Sequence, residues 1–223
     1  MTATATTAAA PARTDTRHLA AFALSAALFM ALDAAGAAGP WMACLKIVPI
    51  AILALLARRN LSGPTQGLIL TALGLSALGD VLLALEFPNQ FVFGLGAFLL
   101  AQLVYAGTFL RAADARRRGF WLRAAPVLLA ALLLARLLLP AAGELALPVL
   151  VYLLAIVAMA LSAAAHRGDS GLLFAGAVTF MASDTLIALN RFIAPLPLAG
   201  TGIMLTYYGA QLAILYGVGR TRA

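Results

Sequence analysis

The chain has 223 residues, 64% hydrophobic and only 10% charged, with a mean hydropathy of +1.00. A soluble domain carries about 45–50% apolar and about 25% charged residues, so a water-soluble globule is excluded and a polytopic membrane protein is predicted. The single Cys44 excludes an intramolecular disulfide and a cysteine-based zinc cluster. The net charge of +7 would suit a nucleic-acid partner only if it were gathered into a patch.

In chain order, residues 1–16 (MTATATTAAAPARTDT) read as a disordered low-complexity tail, and residues 17–220 as a single transmembrane domain. Arg13 and Arg17 followed by Leu19 to Leu32 imitate a cleavable leader; cleavage would leave an odd number of spans, so the uncut reading is preferred. Eight apolar spans follow at roughly 18–33, 41–57, 66–86, 91–110, 121–139, 145–165, 171–190 and 199–218, most with the roughly 20 residues a helix needs to cross a bilayer and the first two short. Turn signals separate them, among them Gly36 to Pro40, Asn60 to Pro64, Pro88-Asn89, Pro140 to Gly143 and Pro195 to Pro197. No span alternates in the manner of a barrel strand. The predicted fold is all-α, a bundle of eight transmembrane helices with loops too short for any soluble domain.

Twelve of the fifteen Lys and Arg fall on one side if the N-terminus is inside. They lie in the tail, after spans two, four and six, and at the C-terminus. The positive-inside rule therefore places both termini in the cytoplasm, and the basic charge reports topology rather than nucleic acid. The Ala- and Arg-rich composition suggests a bacterial inner membrane. Spans three and seven share a pattern, Leu78-Gly79-Asp80-x-Leu82-Leu83-Ala84-Leu85 and Ala182-Ser183-Asp184-x-Leu186-Ile187-Ala188-Leu189. Each is followed by a span holding Ala-Gln-Leu, at Gln102 and at Gln211. Two four-helix halves related by a parallel repeat are predicted.

Asp80 and Asp184 stand inside apolar runs. An ionised Asp near mid-bilayer costs about 2.5–3.5 kcal/mol on insertion scales, so such residues face a protein interior or wet cavity and mark a function. At 1.5 Å per residue each lies about six residues, roughly 9 Å, below the outer end of its span. Lys46 and Tyr152 sit at similar depths in spans two and six, and Gln102, Tyr208 and Gln211 lie near mid-membrane. Asp33, Glu86, Glu144 and Arg191 ring the outer ends. One polar pocket, opening outward and reaching halfway down, is predicted. Helical phase agrees: Ser76, Gly79, Asp80 and Leu83 share a face, as do Thr179, Phe180 and Ser183 around Asp184, while Tyr207 and Tyr208 lie one turn before Gln211. Structural roles compete with this: Lys46 can snorkel, the glutamines can be interhelical glue, and the aspartates can pair with Lys46 and Arg191 to hold the bundle. His18 and His166 are isolated and give no metal-ligand spacing, and the usual hydrolase and nucleotide motifs are absent. No metal or cofactor is expected, and no feature sets an oligomeric state.

Taken in order, several pieces resemble one known family. They are Lys46 with Pro49; Leu78-Gly79-Asp80; Phe93-x-x-Gly96-Ala97-Phe98-Leu99-x-Ala101-Gln102-Leu103-x-Tyr105; Tyr152 with Met159; Ser183-Asp184-x-Leu186-x-Ala188 with Arg191-Phe192; and Tyr207-Tyr208-x-Ala210-Gln211-x-x-Ile214. Across about residues 40–217 the set is similar to the YhhN-like membrane family, the lysoplasmalogenases; the family commonly has His where Gln102 stands. The resemblance implies hydrolysis of the vinyl ether bond of a lysophospholipid, lysoplasmalogen, to a fatty aldehyde and glycerophosphoethanolamine or glycerophosphocholine, within membrane lipid. That chemistry needs a carboxylic acid to protonate the vinyl β-carbon and a carboxylate to steady the oxocarbenium ion and activate water. It gives those roles to Asp80 and Asp184 in either order. Lys46 would hold the phosphate, and Gln102, Tyr208 and Gln211 would orient water or the ether oxygen. Tyr152, Ser183 and Arg191 complete the expected substrate-binding set. The rival readings are a small-molecule membrane transporter, whose repeats and midplane polar residues look alike, and a lipid-binding scaffold without chemistry.

Overall fold

A computed structural model describes residues 16–116, 119–168 and 170–221, so that all of the predicted tail but Thr16 lies outside the described residues. Helices form where apolar runs must satisfy every backbone group internally. They are α1 (Thr16–Ala34), α2 (Pro40–Asn60), α3 (Gly63–Ala84), α4 (Gln90–Leu110), α5 (Phe120–Ala142), α6 (Ala146–Ala165), α7 (Gly171–Phe192) and α8 (Ala199–Arg220). A 3₁₀ turn, Gly143–Leu145, joins α5 to α6 without an intervening coil, so the uninterrupted helical runs number seven among the described residues. Gly143 has φ 54, and α5 and α6 pack against each other, so the chain doubles back at that turn. Six of the seven runs are long and apolar enough to cross a membrane. The exception is α8, whose tyrosines, threonines and Gln211 dilute its apolar content. The protein is all-helical and passes through a membrane several times.

The first two helices are full length, at 19 and 21 residues, where the apolar runs alone looked short. The difference lies in their ends: α2 starts at Pro40, whose missing N–H costs nothing at a helix start, and runs on through Arg58 and Arg59. Exposure is inverted relative to a soluble protein. Leu122 and Leu24 are 83% and 71% exposed, whereas Asp80 and Gln102 are 2% and 0%. An apolar mantle around buried polar groups is what a lipid solvent selects.

Each helix packs on its chain neighbour, except that α4 turns to α6, and α8 closes the bundle against α1 and α2. The tightest crossing is α7 on α8. A Cβ on Gly176 would stand 2.8 Å from the Ile214 nitrogen, and one on Gly217 2.6 Å from the Leu173 Cα, so the two backbones nearly touch. Small residues allow such approach where no hydrophobic force drives helices together. Beneath the polar centre, Phe98, Phe180 and Tyr207 pack edge to face with centroids 5.5 to 6.4 Å apart, tying α4, α7 and α8 together.

Candidate active site

The polar side chains gather into two nodes. In the first, the Lys46 Nζ of α2 lies 3.1 Å from the Asp80 Oδ1 of α3. Pro49 has no N–H for the helix ladder and crowds the preceding turn, and there the Lys46 carbonyl accepts a 2.7 Å hydrogen bond from the Tyr208 hydroxyl of α8. The Tyr207 hydroxyl neighbours both Asp80 and Gln211, and Gln211 Oε1 accepts from the Tyr105 hydroxyl at 2.5 Å. In the second node, Asp184 Oδ2 of α7 accepts a hydrogen bond from the Tyr152 hydroxyl of α6 and one of 3.3 Å from the Gln102 Nε2 of α4. The two carboxylates are close enough to act on each other electrostatically.

Among the described residues, five buried side-chain atoms here have no partner at hydrogen-bonding geometry: Ser76 Oγ, Asp80 Oδ2, Gln102 Oε1, Tyr207 OH and Gln211 Nε2. A buried unsatisfied polar atom costs about 1–3 kcal/mol. A cluster of five, mixing donors and acceptors, can receive a polar guest.

Among the described residues, two cavities reach these nodes, where a single pocket was expected. A vestibule of about 470 Å³ is lined by Lys46, Asp33, Gln90, Asn190 and Arg191, among others. A narrower cleft of about 50 Å³ between α4, α5, α6 and α7 is lined almost wholly by apolar groups (Leu95, Leu134, Leu138, Val149, Leu153, Ile156) and ends on Tyr152 and Asp184. Phe91 and Ile187 line both, so the two share a wall. The division follows the packing. Where α7 leans on α8, Ile203, Met204 and Asn190 face the vestibule, and where it leans on α5 and α6, apolar side chains face the cleft.

Of the residues singled out from sequence, Asp80, Asp184, Lys46, Gln102, Tyr152 and Gln211 come together in the two nodes. Tyr208 joins through the Lys46 carbonyl, where helical spacing had suggested Gln211. Ser183 donates to the Ile203 carbonyl at 2.9 Å, a clamp from α7 to α8. Thr179 turns back to the Ala175 carbonyl of its own helix. Arg191 does not pair with Asp184; its guanidinium stacks 4.3 Å over the Phe91 ring at the vestibule. Tyr105, Tyr207 and Ser76 were not chosen as site residues, although Tyr105 follows Gln102 by three positions, a same-face signal. Gln90 and Asn190 carried no signal, because each reads as a loop-capping residue: Gln90 Oε1 accepts from the Phe87 N–H and Asn190 Oδ1 from the Leu196 N–H. Among the described residues no three His, Cys, Asp or Glu converge.

Residues 41–218 match the model of the YhhN family. Lysoplasmalogenase of Mycobacterium bovis is 40% identical over 157 residues, 67% of this chain and 59% of that protein. Lysoplasmalogenase TMEM86B of Homo sapiens is 35% identical over 205 residues, covering 89% of this chain and 84% of that protein. The pig protein of that name is 34% identical over 186 residues, 82% and 76% of the two chains. The match thus spans less than two thirds of the length of the mycobacterial relative. No solved structure matches the chain.

Proposed function

The chain belongs to the YhhN family, and from that footing we propose that it is a lysoplasmalogenase, hydrolysing the vinyl ether bond of a lysophospholipid to a fatty aldehyde and glycerophosphoethanolamine or glycerophosphocholine. The observation that carries the reading is the pairing of an apolar cleft ending on one carboxylate with a polar vestibule ending beside the other. The apolar lining of the cleft suits the part of an alkenyl chain next to the vinyl ether, and a phosphate suits the Lys46 ammonium and the Arg191 guanidinium, with the vinyl ether between Asp184 and Asp80.

The partners of the two carboxylates support a division of roles. Asp80 faces the Lys46 ammonium and would serve as the carboxylate. Asp184 meets only neutral donors, both on Oδ2, which leaves Oδ1 to carry a proton. Asp184 would deliver that proton to the vinyl β-carbon as the C=C π pair forms the new C–H bond, leaving an oxocarbenium ion. Asp80, through its unpartnered Oδ2, would steady the cation and take a proton from the water that attacks the α-carbon. The hemiacetal then collapses to the aldehyde, its hydroxyl proton going to the departing glycerol oxygen, and the proton taken up by Asp80 passes to Asp184, which restores both side chains. Gln102 and Tyr152 would hold Asp184, and Tyr207, Gln211 and Ser76 would orient water.

We propose further that the chain makes eight transmembrane passes in two four-helix halves related by a parallel repeat, with both termini on the cytoplasmic side of an inner membrane, the orientation being supported by the arginine distribution. The packing pairs α1–α2, α2–α3, α3–α4 and α4–α6 recur as α5–α6, α6–α7, α7–α8 and α8–α2. A non-glycine residue with left-handed backbone, Asn89 (φ 61) or Leu198 (φ 55), precedes the last helix of each half. The test is aldehyde release from a lysoplasmalogen by the purified protein. Asp184→Asn should fold, Asp80→Asn should fold with a lowered melting temperature, and each should lose about 10²–10⁴-fold in kcat; near-normal turnover in either would overturn the two-carboxylate mechanism.

A further inference from the structure

Among the described residues, Asp33 is the one acidic group lining the vestibule, opposite in sign to Lys46 and Arg191, and the proposed mechanism gives it no work. It sits one turn beyond Phe29 on α1, so that the two share a face, and both line the cavity. Among the described residues Asp33 makes no ion pair. Its carboxylate rests on the first turn of α8 at Gly200, in space that a side chain there would occupy. A cavity lined by a cation from α2, a cation from α7, and a carboxylate and an aromatic ring from α1 matches a zwitterion rather than a simple anion. Cations are held by carboxylates and by ring faces alike.

We infer that Asp33, with Phe29, forms the subsite for the ammonium of the lysophospholipid head group, ethanolamine or choline, while Lys46 and Arg191 take its phosphate. The assignment rests on the lysophospholipid reading above. It adds a cost to head groups that lack an amine, because Asp33 would then face a phosphate dianion alone.

The probes are saturated-ether lysophospholipids, which cannot be hydrolysed through a vinyl ether, bearing phosphoethanolamine, phosphocholine or bare phosphate. Their affinities are measured on the full chain in nanodiscs for wild type, Asp33→Asn and Gly200→Ala. Asp33→Asn should weaken both zwitterionic lipids by about tenfold and tighten the phosphate lipid, since a charge-assisted bond is lost in one case and a repulsion in the other. Gly200→Ala, which displaces the carboxylate without removing it, should shift the three affinities in the same directions. Opposite signs across head groups cannot come from damage to folding. Equal weakening of all three lipids, or an unchanged ratio among them, would overturn the assignment. Wild type that discriminates among the probes but releases no aldehyde from the vinyl-ether counterparts would instead overturn the hydrolase reading and leave the subsite standing.

Discussion

Lys46 and Asp80 form a largely buried ion pair, with side chains 16% and 3% exposed. Breaking such a pair from one side costs about 3–5 kcal/mol, because the other charge is left uncompensated, while replacing both partners is far cheaper. Lys46→Met should therefore lower the melting temperature sharply, and Asp80→Asn added to it should restore most of the loss. Thermal unfolding in detergent of the two single variants and the double variant checks this; additive losses would mean that the two side chains do not stabilise each other. Tyr152 offers a separate handle on Asp184. Tyr152→Phe removes one of the two donors to Oδ2 and leaves the apolar wall of the cleft intact. Its expected effect is about a tenfold fall in kcat with KM little changed, since a positioning bond of this kind contributes about 1–2 kcal/mol. A raised KM at constant kcat would show the hydroxyl binding substrate instead.

At the scale of helices, the α7–α8 crossing depends on Gly176 and Gly217. Gly217→Val would drive a branched side chain into the Leu173 backbone and separate the pair, shifting the Asp184 node on α7 relative to the Tyr207 and Gln211 node on α8. A loss of about 1–3 kcal/mol in stability is expected from overpacking, together with loss of activity. Gly219 lies two positions further on, and a methyl group there would meet nothing within 4 Å; it should accept alanine without either effect. Equal outcomes for the two positions in a melting assay would mean that the crossing is not the constraint. Ser183 belongs at this scale too: its bond to the Ile203 carbonyl fastens α7 to α8, so its influence on Asp184, the next residue, runs through helix position.

For the molecule as a whole, the arginine distribution sets an orientation that accessibility can test. In a Cys44→Ala background, Ala38→Cys should react with a membrane-impermeant maleimide in intact cells, and Ser62→Cys only after the membrane is opened. The reverse pattern would put the vestibule on the cytoplasmic side and remove the basis for assigning both termini to the cytoplasm. The same preparation in proteoliposomes separates hydrolysis from transport: aldehyde release without substrate flux is the expected result.

Membrane class, helical content and the standing of Asp80 and Asp184 inside apolar runs were legible in the chain, because hydropathy is a one-dimensional property. So were Lys46, Gln102, Tyr152 and Gln211, since a polar group inside an apolar run is conspicuous wherever the run ends up. What the sequence could not order was partnership. Which donor meets which carboxylate depends on side-chain reach across helices far apart in the chain, as with Gln102 and Asp184, 82 positions apart. The split into vestibule and cleft, the turn of Tyr208 toward the Lys46 carbonyl and the placing of Asp33 in one cavity with Lys46 and Arg191 were decided only by tertiary packing. Such helix-to-helix contacts are set by close backbone approach at small residues, and a linear pattern of Ala, Leu and Gly records that helices can approach but not which ones do.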